Sequence, residues 1–149
     1  MTDKNRSDIF LSKEDKEKIK MVISQAESKT SGEIRVHILK KGKIQNIMGE
    51  AQKIFKILKM HKTEERNGIL ILIAPIAKKF AILGDAGINA KIDANFWNEI
   101  RDGIKSSFEK SLYLAGIENA VMNVGKILSR YFPVKPDDIN ELPDDVTES

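Results

Sequence analysis

The chain has no cysteine among its 149 residues. That excludes a disulfide framework, a thiolate metal site and a cysteine nucleophile, and confines redox chemistry on the protein to methionine. Histidine is scarce. His37 and His61 lie without partners at metal-ligand spacing, and His37 reads as a strand-face residue rather than a catalytic base. No stretch approaches the roughly 20 apolar residues of a membrane helix, and MTDKNRSDIF at the start lacks the apolar core and small-residue cleavage site of a signal peptide. As written, the chain is expected to be cytoplasmic, with no membrane insertion. GDAGIN lacks the third glycine of a dinucleotide fingerprint, no Gly-Lys-Ser/Thr phosphate loop is present, and no serine sits in a nucleophile elbow. A nucleotide cofactor is therefore not expected.

The net charge is +3, unevenly spread. Six acidic residues (Asp137, Asp138, Glu141, Asp144, Asp145 and Glu148) stand against Lys135 alone after Pro133, which leaves residues 1–132 at +8. A basic body attracts anions, but its lysines are scattered over helix faces without interleaved aromatics, so a solvated surface is the reading and nucleic acid is not an expected partner. The acidic tail has the charge to fold back over that body.

Residues 66–93, RNGILILIAPIAKKFAILGDAGINAKID, hold the only long apolar run and organise the rest. Ile69 to Ala74 reads as a buried strand, Pro75 to Lys78 as a turn and Lys79 to Leu83 as an antiparallel neighbour. Upstream, Ser12 caps a helix with Ile19, Val22, Ile23 and Ala26 on one face. EIRVHIL, from Glu33 to Leu39, alternates as a strand, and Ile44 to Met60 repeats at helical spacing. Strand, helix, strand then reads as a crossover with two parallel strands. Downstream, Asp93 caps a third helix with Trp97, Ile100, Ile104 and Phe108 facing inward. A fourth carries Ile117, Ala120, Val121, Val124, Ile127 or Leu128, and Tyr131, with Gly125 marking close helix packing.

The expected fold is α/β: a three-layer α/β/α sandwich, a small mixed sheet of three or four strands with helices on both faces. Residues 1–10 read as a flexible N-terminus, 11–133 as one domain and 134–149 as an extended acidic tail whose loss leaves stability nearly unchanged.

This topology brings the entrances of the two parallel strands and the exit of the third to one edge. Glu33, Asp85 and Asp93 are candidate ligands there, beside the backbone oxygen of Gly84 and the side chain of Asn89, an oxygen-rich set suited to Ca²⁺ or Mg²⁺. The same residues also read as a turn former (Asp85), a helix cap (Asp93) and a strand start near Arg66 (Glu33). If three carboxylates crowd the edge, Asp85→Asn is expected to stabilise the metal-free protein slightly.

TSGEIRV, ERNGILILIAPIAKKFAILGDAGINAKI, W-x-x-I, F-x-x-S-L-Y-x-x-G-I and G-x-x-L-x-x-Y-F-P together resemble the TPM domain family over roughly residues 10–133. The family takes its name from a thylakoid acid phosphatase, a photosystem II repair protein and a receptor modulator. The resemblance implies a three-layer sandwich, a bound divalent cation near acidic positions, weak acid phosphatase activity in the plant member, and a membrane-associated protein partner. It is nearest the short, soluble bacterial branch. Longer relatives have a turn like G-Y-G-L-E where this chain has Gly84-Asp85-Ala86-Gly87-Ile88-Asn89. Two functions follow as expectations: a divalent-cation-binding module acting through partner proteins in membrane-protein maintenance, or a weak metal-dependent phosphatase with Arg66 and Lys91 as phosphate-binding cations and no identified catalytic residue.

Overall fold

The computed structural model describes residues 10–135 and 145–149. The stretch expected to be a flexible N-terminus, apart from Phe10, lies outside the described residues, as do Asp137, Asp138, Glu141 and Asp144. Among these residues four strands, β1 (Glu33–Ile38), β2 (Gly68–Ala74), β3 (Lys79–Gly84) and β4 (Thr147–Glu148), form one mixed sheet in the order β3-β2-β1-β4. β1 and β2 are parallel, with Glu33 opposite Gly68, and β2 and β3 are antiparallel, with Ile69 opposite Gly84. These are the pairings that the apolar run and its short turn require.

Among the described residues five α-helices cover the sheet: α1 (Lys13–Glu27), α2 (Ile47–Ile57), the short α3 (Ala86–Asn89), α4 (Ala94–Glu109) and α5 (Tyr113–Tyr131). The alternation along the strands assigns the layers. Ile34, Val36 and Ile38 of β1 and Ile69, Ile71 and Ile73 of β2 face one core with Ile19 and Ile23 of α1, Ile100 and Ile104 of α4, and Ile117, Val121 and Val124 of α5. Leu70 and Leu72 face the other, with Ala51, Ile54 and Phe55 of α2 and Met60. The protein is therefore a three-layer α/β/α sandwich. Among the described residues no helix is long and apolar enough to cross a membrane.

Helix starts follow local chemistry. The Ser12 hydroxyl accepts from the Asp15 N–H while the Asp15 carboxylate accepts from the Ser12 N–H, both at 3.0 Å, a complete capping box. Asp93 caps α4 by accepting from the Asn95 N–H at 2.6 Å. A Cβ on Gly125 would lie 2.7 Å from the Cβ of Ala26, so α5 meets α1 at a distance only glycine allows.

The structure departs from the sequence reading in four places. Asn46 caps the second helix by accepting from the Gly49 N–H, so it begins at Ile47 rather than Ile44, and a short 3-10 turn at Met60–Lys62 follows its end. GDAGIN, read as a turn, contains the helix α3. Tyr131 is exposed, because the inward face of α5 ends at Leu128. The last residues of the tail, read as an extended segment outside the sheet, join it: Thr147 and Glu148 pair in parallel with His37 and Ile38 as the edge strand β4.

Candidate functional site

Three chain segments meet at the edge where β1 and β2 begin and β3 ends. Arg66 stands just before β2 with φ 52°, a left-handed backbone unusual for a side chain of its size. Its N–H donates to the Thr63 carbonyl at 3.2 Å, and its carbonyl accepts from the Gly87 N–H at 2.9 Å. Gly87 is indispensable to that contact: a Cβ there would lie 2.1 Å from the Glu65 carbonyl oxygen and 2.7 Å from that of Arg66. α3 is thus pressed backbone-to-backbone onto the loop before β2.

The Asp85 carboxylate is the electrostatic centre. Arg66 Nε donates to Oδ2 and Nη2 to Oδ1, each at 2.7 Å, while the Ala86 N–H donates to Oδ1 at 2.8 Å. The Asp85 N–H is held by the Gly68 carbonyl at 3.0 Å. Asp85 is 7% exposed and the Arg66 side chain 51%. Hydrogen bonding to Asp85, and its charge, hold the guanidinium pKa above its ordinary value. Asn89 closes the turn by donating from Nδ2 to the Gly84 carbonyl at 2.9 Å.

A second polar cluster lies alongside. Ser31 donates to Glu65 Oε2 at 2.8 Å and accepts from Asn67 Nδ2 at 3.2 Å, and Lys135 pairs with the same Glu65 oxygen at 3.1 Å. The Ser31 hydrogen bond first, then Lys135, holds the Glu65 pKa below its ordinary value. Thr30 and Ser31 both donate to the Phe132 carbonyl, tying the loop before β1 to the end of α5. Lys91 Nζ sits 4.6 Å from the centre of the Phe132 ring.

The expected ligands divide into two groups. Gly84, Asp85 and Asn89 come together, and Glu33, buried, heads β1 opposite Gly68, whose carbonyl binds the Asp85 N–H. Asp93 is occupied as the cap of α4. The donors are the oxygens a hard cation takes, and in this structure the Asp85 carboxylate is paired with the Arg66 guanidinium. Among the described residues no group of three His, Asp or Glu side chains is gathered for a metal ion. The two cations considered for phosphate are likewise engaged, Arg66 by Asp85 and Lys91 by Phe132.

Sequence reasoning placed Arg66 and Asp85 at one edge but missed two features: the Ser31–Glu65–Lys135 cluster and the surroundings of His37, which bonds Thr147 and Ser149. The charged pair Glu65-Arg66 directly before the central strand was the available signal for the first.

The comparisons agree with this architecture. The TPM domain profile matches residues 5–127. The BA42 protein from the psychrophilic bacterium Bizionia argentinensis, solved by NMR, is 38% identical, with 94% of this chain and 96% of that one covered and a TM-score of 0.87. The N-terminal domain of cg2496 from Corynebacterium glutamicum shares the fold alone, at 13% identity, a TM-score of 0.62, and coverage of 79% and 74% of the two chains. A search of curated proteins finds no match. This chain belongs to the TPM domain family.

Proposed function

We propose that the chain is a TPM-type binding module that takes a divalent cation, Ca²⁺ or Mg²⁺, on Asp85 in exchange for the Arg66 guanidinium, and acts through a protein partner in membrane-protein maintenance. The observation that supports this reading is the asymmetry of the Arg66–Asp85 pair: the carboxylate is buried in its turn, while the cation that closes it is on a half-exposed side chain. An exposed guanidinium exchanges a carboxylate for water at small cost, whereas a divalent ion brings twice the charge; to ligate it as well, the Gly84 carbonyl and the Asn89 amide would give up the bond they make with each other. The phosphatase reading is weaker, since it needs a cation available for phosphate and both candidates already have partners.

Melting curves test the exchange, with chelator and with millimolar Ca²⁺ or Mg²⁺. Metal is expected to raise the melting temperature of the parent through linkage of binding to folding. Asp85→Asn is expected to lose the gain, and Arg66→Ala to respond at lower metal concentration. A parent protein indifferent to both ions contradicts the reading.

A further inference from the structure

The outer edge of β1 would be an open row of peptide groups without the last residues of the sequence. Residues 145–149 lie along it. The Ser149 N–H donates to the Ile38 carbonyl at 2.9 Å, and the Lys40 N–H donates to the Ser149 carbonyl oxygen at 2.7 Å. Alternation along β4 then sorts the side chains. Thr147 and Ser149 point to one face, where their hydroxyls meet the two ring nitrogens of His37, Nδ1 and Nε2, each at 2.6 Å. Val146 and Glu148 point to the other. Val146 packs on the larger core, and Glu148 bridges Lys16 of α1 at 2.5 Å and Lys40 at 3.0 Å. Lys20 holds Asp145 at 3.1 Å.

This is a recognition site with three separable parts: a parallel ladder, a histidine that reads two hydroxyls two residues apart, and three lysines that read acids. A strand of only two paired residues occupies it, and much of the holding charge is solvated, so the attachment is weak relative to the fold beneath it. We propose that the outer edge of β1 is a strand-addition site for an extended acidic peptide of a protein partner, carrying hydroxyl residues at alternate positions, and that the chain's own residues 145–149 occupy it in cis as a competing strap. Main-chain pairing supplies affinity in such sites, and alternate side chains supply specificity. The cis strap sets the threshold a partner must exceed.

The test uses the full chain and a synthetic hexapeptide, DDVTES. Thr147→Pro removes an N–H from β4 and blocks its pairing, taking only the half-buried Val146 from the margin of the larger core, and loss of exchange protection at Ser149 reports that the strap has left. The peptide is expected to bind this variant about tenfold more tightly than the parent, with shifts confined to His37 through Lys40. A His37→Ala change in the Thr147→Pro background is expected to remove most of that affinity. A Thr147→Pro protein that has lost protection but does not bind, binds elsewhere, or binds no better than the parent overturns the proposal.

Discussion

Arg66 and Asp85, nineteen residues apart in the chain, are joined by two parallel hydrogen bonds of 2.7 Å. The pair closes the edge where β1 and β2 begin, and it reverses one expectation. With three crowded carboxylates, Asp85→Asn would relieve repulsion. With a guanidinium already in place, the same change removes the ion pair and turns one acceptor oxygen into an NH2 group that faces a guanidinium donor, so Arg66, in a left-handed backbone, loses half of its anchor. The melting temperature of metal-free Asp85→Asn is therefore expected to fall by a few degrees, and a rise would return the site to the crowded-carboxylate picture.

Gly87 is expected to be the most sensitive glycine. Ala at 87 meets backbone oxygens that cannot turn aside, so α3 must detach from the loop before β2, at a cost of about 3 kcal/mol or more. Gly103, within α4, has nothing within 4 Å of an added Cβ, and Ala there is expected to stabilise by about 0.5–1 kcal/mol. Denaturant unfolding of the two variants checks the contrast. Similar stabilities would mean that α3 is not pressed on the loop.

How far the sequence foretold the molecule depends on how local each cause is. Ile69 to Ala74, the short turn after it, and the caps Ser12 and Asp93 are encoded within a few residues, and each was legible. Placing Arg66 and Asp85 at one edge required only that β2 and β3 be antiparallel. That they bind one another rather than a shared ion was not legible, because both arrangements use the same residues at the same edge. β4 was hidden for another reason: its partner His37 lies 110 residues away, and a polar VTES segment has no apolar period to announce a strand. The helix α3 was obscured by Gly87, a residue chosen for close approach that reads as a turn signal.

Acid is expected to loosen the strap. Burial, then the charge of Arg35, lowers the His37 pKa below 6.5 against a smaller opposing effect of Glu148, so protonation favours the state in which the ring meets water. The contribution of His37 to docking is full above pH 6.5 and is lost as pH falls through the depressed value. Lys16 first, then Lys40, lowers the Glu148 pKa below 4.5, so a second loss follows as pH falls further. Protection factors at Ser149 and Lys40 are expected to decline as pH falls below 6.5, and His37→Gln is expected to remove that first step. Constant protection over this range in the parent would separate His37 from the docking of β4.

The central claim, that a divalent cation replaces Arg66 on Asp85, is tested most directly by NMR titration of the chelator-treated parent with Ca²⁺ or Mg²⁺. The account predicts shifts at the amides of Gly84, Asp85, Ala86 and Asn89, together with loss of the hydrogen-bonded Arg66 Nε–H signal, while the far side of the sheet stays still. Saturating metal that leaves the Arg66 Nε–H in place, or moves only residues away from Gly84 to Asn89, would contradict it.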